Sequence, residues 1–323
     1  MKAIGIILAG GNNNRMKELT AKRAVPALPV AGSFRSIDFA LSSMSNSHIQ
    51  TVAVLTQYNA RSLNEHLSSS KWWNFGRKQG GLFLFTPTVT ADNSDWYRGT
   101  ADAMYQNIDF LKRRHEPYVI ISSGDCVYKL DFNRVLDFHI EKKSDITVVC
   151  KDMMYNDDVS RFGVVRMDDE SRITEFDEKP IEALSNTIST GIYVIRRRQL
   201  IELLEAAAEE NRFDFVNDIL VRYKNVKKIY GYKINSYWNN IADIDAYFKT
   251  NMDFLRPDVR SYFFREEPTI CSKVDDLPPA KFNPGSDISN SLVSSGCIIN
   301  GSVEDSVLFK QVFVGKNTTV KNC

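Results

Sequence analysis

The chain has 323 residues, 43% hydrophobic and 25% charged, a balance that suits a globular protein with a sizeable core, built as one large or two ordinary domains. Its 41 Lys and Arg nearly match its 40 Asp and Glu, for a net charge of +1. That excludes a bulk attraction to nucleic acid or to an anionic membrane. The five cysteines are scattered without metal-ligand spacing, which implies free thiols in a reducing compartment. The N-terminal apolar run is far too short to span a bilayer and lacks a cleavage region, so the protein is expected in the cytoplasm.

In chain order, AIGIILA (3–9), TVAVLT (51–56), YVIISS (118–123) and DITVVC (145–150) are near-continuous apolar runs, as in strands buried on both faces. SIDFALSSMSNS, ARSLNEHLS, TADAMYQNIDFLKRRH and DFNRVLDFHIEKK lie between them; in the last two, apolar residues recur every three or four positions, as in amphipathic helices. The alternation predicts an α/β fold around a mostly parallel, doubly wound, Rossmann-like sheet, with ligands at the carboxyl ends of the strands. GVVRM, STGIYVI and KKIYGYKI read as further strands, and a helix from about Asp243 to Phe254 closes a first domain, residues 1–255. Residues 256–285 hold five of the ten prolines and read as an aperiodic linker. In residues 286–323, Ile298, Val303, Leu308, Val314 and Val320 recur every five or six positions among Gly, Asn and Ser, which predicts a parallel β-helix of hexapeptide turns. The pattern breaks off at Cys323, and because a solenoid needs a capping turn, the β-helix is expected to be truncated here.

Some segments can carry chemistry. After the first strand, Gly10 and Gly11 precede Arg15, Lys17, Lys22 and Arg23. This is neither a P-loop nor a dinucleotide fingerprint. It reads either as a backbone cradle for polyphosphate or as an ordinary strand–helix turn with solvated basic residues. Asp125 follows a very apolar strand and reads as a metal ligand or as a helix cap. Glu178 and Lys179 follow a strand, and a lysine there suits a phosphate monoester or is a surface ion pair. Gly99–Thr100–Ala101 opens a helix whose N-terminus can meet an anion or a base, or is a simple Thr cap. The four histidines, His48, His66, His115 and His139, fall in or beside helical stretches and read as structural or solvated.

Taken together, ILAGGNNNRMKELTAKRAVPALPVAG, VLTQYNARSLNEH, WYRGTADAMYQN, SGDCVYKLDF, SRFGVV, EFDEKP and STGIYVI occur in family order. The ensemble resembles bacterial glucose-1-phosphate adenylyltransferase, also called ADP-glucose pyrophosphorylase, over essentially the whole chain. The resemblance implies a nucleotidyltransferase domain followed by a left-handed β-helix. It also implies an oligomer, typically a tetramer of like or unlike subunits, that couples ATP with glucose 1-phosphate to give ADP-glucose and pyrophosphate for glycogen synthesis. The sugar phosphate attacks the α-phosphate directly, so catalysis is positioning plus charge neutralisation by Mg2+ and basic groups. By motif match, the resemblance puts Gly10, Gly11 and Arg15 on the triphosphate, with Gln57, Gly99, Thr100 and Ala101 by the adenine. It puts Asp125 on the magnesium. Glu178, Lys179 and the strand carrying Ser189, Gly191 and Tyr193 would hold the glucose phosphate. Lys22 and Arg23 fall where the family has basic residues linked to effector control.

Three positions depart from the family pattern. The family loop reads G-G-x-G-x-R, and its later glycine is Asn13 here; the side chain crowds a phosphate even if the turn survives. The lysine before the proline is Val25, and losing such a preorganised charge typically lowers a rate ~10²- to 10³-fold. The second metal-binding aspartate is Asn240, which offers a neutral oxygen, while Asp243 three residues on is expected to cap a helix. These changes imply a regulatory, weakly or non-catalytic subunit that assembles with a catalytic one. The alternative is an active adenylyltransferase using Arg15, Lys22 and Asp125. A hexapeptide acyltransferase is disfavoured because no histidine follows His139.

Overall fold

The runs that read as doubly buried strands form the centre of the structure. A computed structural model of the chain describes residues 2–12, 14–76, 80–89, 95–154 and 157–323. β1 (Ala3–Ala9) is followed by a short hairpin of β2 (Pro29–Val30) and β3 (Phe34–Arg35). Then come α1 (Ser36–Asn46), β4 (Thr51–Thr56), α2 (Arg61–Leu67), β5 (Gly81–Phe85) and two short helices, α3 (Thr100–Tyr105) and α4 (Ile108–Lys112). β6 (Tyr118–Ser123), β7 (Cys126–Tyr128), α5 (Phe132–Glu141) and β8 (Ile146–Asp152) follow, then β9 (Gly163–Met167), β10 (Ile173–Glu178), β11 (Thr187–Arg196), α6 (Arg197–Glu209), β12 (Ile229–Lys233) and β13 (Trp238–Asn240). α7 (Ile244–Asp253) and α8 (Pro257–Phe264) complete this part.

β5, β4, β1 and β6 run parallel, and β11 joins antiparallel to β6, in a sheet of nine described strands. Ile4, Ile6 and Ile7 of β1, like Val52 and Val54 of β4, are fully or almost fully buried. Two apolar clusters cover the two faces of the sheet, so each residue of these strands meets a core and the sequence needs an unbroken aliphatic run. β1, β4, β6 and β9 coincide with the apolar runs that predict them.

The other elements show where local rules competed. The stretch from Thr100 to Arg114 is two helices rather than one. Asn107 breaks it: its side-chain amide donates to the Ala103 carbonyl at 2.9 Å and to the Tyr97 hydroxyl at 2.9 Å, an alternative to continuing the helix. Asp243 caps α7, its Oδ1 accepting from Ala246 N at 2.7 Å, as expected. The supposed aperiodic linker begins with a helix, α8, and this expectation is corrected. Pro257 stands in its first turn, and Val259 and Phe263, four apart, turn inward. They join a third cluster with Phe39, Phe254 and Val25, where Phe263 meets Phe39 edge-on at 5.3 Å.

The C-terminal strands stack in parallel on three faces. Residues 281–282, 298–299 and 313–314 form one face; 287–289, 302–304 and 319–321 a second; 292–293 and 307–308 a third. This is the expected parallel β-helix. One position is corrected. Ile298 is 40% exposed, while Ile299 is fully buried with Cys297, Val303, Leu308 and Val314. The inward residue of that turn is one place later than the spacing suggests. The hairpin between β2 and β3 meets the β-helix closely, since a Cβ on Gly32 (φ +87) would run into Ser294. All five cysteines are free. No helix among the described residues is long and apolar enough to cross a membrane.

Two measurements test this core. Phe263→Ala is expected to lower the unfolding free energy by about 3–5 kcal/mol in chemical denaturation; a loss typical of a surface site would remove α8 from the core. His139 is buried between α5 and β8, its Nδ1 2.8 Å from Thr147 Oγ1. Burial, with Arg196 adding to it, lowers its pKa from 6.5 to about 4. Below pH 6.5 the unfolded chain takes up a proton that the folded chain refuses. This contribution to stability is therefore complete above pH 6.5 and falls as pH drops, by roughly 3 kcal/mol at pH 4. His139→Gln should flatten the unfolding free energy between pH 6.5 and 4 relative to the native chain.

Candidate functional site

The carboxyl ends of β1, β4 and β6 open into a cleft of about 460 Å3. Gly10, Gly11, Gln57, Gly99, Thr100 and Asp125 line it together with Val25, Pro26, Tyr97 and Arg98. A larger groove, about 1010 Å3, lies beside it and takes in Arg15, Arg161, Lys179, Asn240 and Asp243. The residues expected on the nucleotide thus gather around the cleft. There are two exceptions: Arg15 lines the groove, and Ala101 is buried and lines neither cavity. Asn13 lies outside the described residues. Lys22 and Arg23 are exposed on the turn after Thr20 and line neither cavity.

Gly10 ends β1 against Gln57, where a Cβ would come within 3.3 Å of the Gln57 Cβ; beside Gly11 the space is open. The Gln57 amide is already used. Its Oε1 accepts from Tyr97 N at 2.6 Å and its Nε2 donates to Tyr97 O at 3.2 Å. Gln57 therefore braces the Tyr97–Gly99 segment. The start of α3 is also closed, which corrects the expectation of a helix end open to an anion. Ala101 N and Asp102 N both donate to the Phe213 carbonyl, at 2.8 and 3.2 Å. Gly99, not Thr100, is the cap residue, and Thr100 Oγ1 accepts from Phe215 N at 2.9 Å. A Cβ on Gly99 would collide with the Phe213 carbonyl. Arg98 lies 3.8 Å over the Phe213 ring and pairs with Asp102 at 3.3 Å. The loop at Phe213–Phe215 thus braces the Arg98–Thr100 side of the cleft from behind, a role the sequence did not reveal because it acts largely through backbone atoms.

Asp125 sits between β6 and β7 and caps no helix. Its Oδ1 accepts from Ser123 Oγ, and Cys126 Sγ lies 3.6 Å away. β13 pairs antiparallel with β7, which sets Asn240 opposite Cys126, next to the carboxylate. The Asn240 side chain is spent locally: Oδ1 accepts from Ala242 N at 3.0 Å, and Nδ2 donates to Cys126 Sγ at 3.4 Å. Burial, then the Asp125 carboxylate, push the Cys126 thiol well up, so it stays neutral there. Among the described residues no three acids, cysteines or histidines gather as a metal site. One carboxylate beside an amide whose oxygen is taken does not fit a magnesium ion held by two protein carboxylates.

Val25 faces the cleft from the segment that crosses Gly124, where Pro26 packs. Its side chain is 4% exposed and belongs to the apolar cluster of Met16, Phe39 and Ile241. The position therefore supplies packing and no charge.

The residues expected on the sugar phosphate lie at the end of β10 and along β11. Glu178 Oε1 pairs with Lys179 Nζ at 3.1 Å, and Lys179 has φ +52. Ser189 Oγ lies 3.3 Å from the buried Tyr193 hydroxyl. Burial, opposed by Ser189, pushes that phenol far up. Between them the register of β11 against β8 shifts, and Gly191, at φ +74, carries the bulge to within contact of Ser123. Glu178 is close enough to Tyr193 to act on it electrostatically. Sequence reasoning also missed Arg161, whose only signal was its place in SRFG. It pairs with Asp243 and lies 4.8 Å over the Phe162 ring.

A mostly parallel sheet with a cleft at its carboxyl rim, a glycine turn there and a single carboxylate opposite is an arrangement of nucleotidyl transferases. The nucleotidyl transferase family matches residues 4–256, and a GlmU-like C-terminal hexapeptide family matches residues 278–323. More narrowly, the chain belongs to the glucose-1-phosphate adenylyltransferase family. It is 38% identical to the glucose-1-phosphate adenylyltransferase of Clostridium novyi over 320 residues, which is 98% of this chain and 84% of that protein. It is 40% identical to that of Pseudothermotoga lettingae over 99% of this chain and 76% of that one. With the Geobacillus stearothermophilus protein of the same name it shares 36% over 99% of this chain and 83% of the other.

Gly99→Ala tests the brace between α3 and the Phe213 loop. The added methyl forces apart α3 and the Phe213 carbonyl, and is expected to lower stability by about 1–3 kcal/mol. An unfolding curve matching the native chain would show that the two segments are not held together there.

Proposed function

We propose that this chain is a regulatory, weakly or non-catalytic subunit of glucose-1-phosphate adenylyltransferase, acting in glycogen biosynthesis in the cytoplasm. It keeps a cleft for ATP and a groove for glucose 1-phosphate, and it tunes a catalytic subunit within a hetero-oligomer, a tetramer of like-folded partners. One observation carries the reading: Val25, which lines the cleft with Asp125, and Asn240, which stands beside that carboxylate on β13, are uncharged and already committed. Val25 is packed in an apolar cluster, and Asn240 is bonded to Ala242 and Cys126. Transfer of an adenylyl group builds charge on oxygens around phosphorus, and rate follows the preorganised cations that meet it. Here such cations are sparse at the cleft, and magnesium is weakly held or absent in this subunit.

The three relatives above carry the name of the enzyme, and the intact cleft is what favours the second reading, an active adenylyltransferase. ADP-glucose formation from ATP, glucose 1-phosphate and Mg2+ separates the two. The chain alone is expected to turn over at least ~10²-fold more slowly than the Clostridium novyi protein assayed alongside. Mixed with a catalytic homologue from its own organism, it should change that enzyme's rate or effector response. Val25→Lys combined with Asn240→Asp should raise turnover at least about tenfold, measured per folded molecule. Turnover by the unaltered chain at the relative's rate would overturn the regulatory reading.

A further inference from the structure

Arg161 stands in the connection between β8 and β9, on the wall of the larger groove. Its Nη1 is paired with Asp243 Oδ2. Asp243 at the same time caps α7 through its other oxygen. The Arg161 Nε is buried and has no hydrogen-bond partner among the described residues. The planar fork of donors is therefore only partly used: Nη1 holds an oxyanion, while Nε is unpartnered but closed off from the groove, so a ligand reaches it only when the side chain moves. The guanidinium is fixed by lying over Phe162, whose ring meets Trp238 edge-on at 5.6 Å.

The surroundings indicate what the fork suits. Lys179 lines the same groove, and its backbone N donates to the Phe162 carbonyl at 3.0 Å. That bond ties the lysine's turn to the residue next to Arg161. Arg15 lies close enough to act on Arg161 electrostatically, as do Asp158 and Asp125 with opposite sign. A guanidinium accepts two oxygens of a phosphate as readily as two of a carboxylate. The cap on α7 does not by itself require Asp243 to be charged, because asparagine caps a helix equally well. The charge acts on Arg161.

We propose that the Arg161–Asp243 pair is an internal latch on a phosphomonoester site. A sugar phosphate draws Arg161 away from Asp243 and is held by Arg161 and Lys179 without a metal ion. This rests on reading the groove as the sugar-phosphate side, and is independent of whether the subunit is catalytic.

The test is calorimetric titration of the full chain with glucose 1-phosphate in EDTA without nucleotide, with inorganic phosphate and glucose as comparisons. Asp243→Asn keeps the cap and removes the charge, and is expected to tighten glucose 1-phosphate binding about tenfold. Arg161→Gln should weaken it at least about tenfold, and the double variant should bind like Arg161→Gln alone. Glucose itself should not respond to either change. Unchanged or weaker binding by Asp243→Asn, or tightening that persists in the double variant, overturns the latch. If Arg161→Gln fails to fold by thermal melting, Arg161→Lys takes its place, with an expected affinity between native and background; native affinity there would also overturn it. Adenylyl transfer is measured on the same proteins. Turnover at the level of the catalytic relatives would sink the regulatory reading and leave the latch standing, and a null titration would do the reverse.

Discussion

A strand buried on both faces can present polar groups only at its ends. β1, β4 and β6 obey this constraint, since apolar clusters cover both sides of the sheet they form. All chemistry is thereby pushed to the carboxyl rim. The first turn after β1, the Gln57 turn after β4 and the Asp125 turn after β6 converge there without any contact chosen for function. The antiparallel additions extend the rim. β13 lies along β7 and brings Asn240 to Asp125, and the bulge in β11 brings Gly191 to Ser123.

The same constraint explains what could be read from the amino acids. An unbroken aliphatic run admits few other structures, so β1, β4 and β6 are legible residue by residue. Elements that bury one stripe are less so. α8 hides two inward residues, Val259 and Phe263, among charges and beside a proline. Asn107 ends a helix through its own side chain, in a stretch whose apolar period runs on. In the β-helix, Ile298 and Ile299 are equally aliphatic, and only the register of the stacked turns decides which faces inward.

In the site, the glycines, Gln57 and Asp125 that the motifs single out line one cavity. The motifs gave no warning that Gln57 is engaged by the Tyr97 backbone or that the start of α3 is filled by the Phe213 carbonyl. Those partners are main-chain atoms of segments distant in sequence, and main-chain atoms carry no residue signature. Arg161 illustrates the other limit: an arginine beside an aromatic residue is ordinary until the fold sets it against Asp243. The separate placement of Arg15, on the groove rather than the cleft, shows that residues adjacent in a motif need not share a cavity.

The burial of Val25 limits what can replace it. Its side chain is wedged among Met16, Phe39 and Ile241 in the cluster that also anchors α7, α8 and the nearest turn of the β-helix through Leu292. A lysine placed there must lay its stem in this cluster and find an exit for its ammonium, and an ammonium left inside an apolar cluster is unfavourable. Packing then acts as a one-way filter: the closed core admits another apolar side chain of similar size far more readily than a charged one.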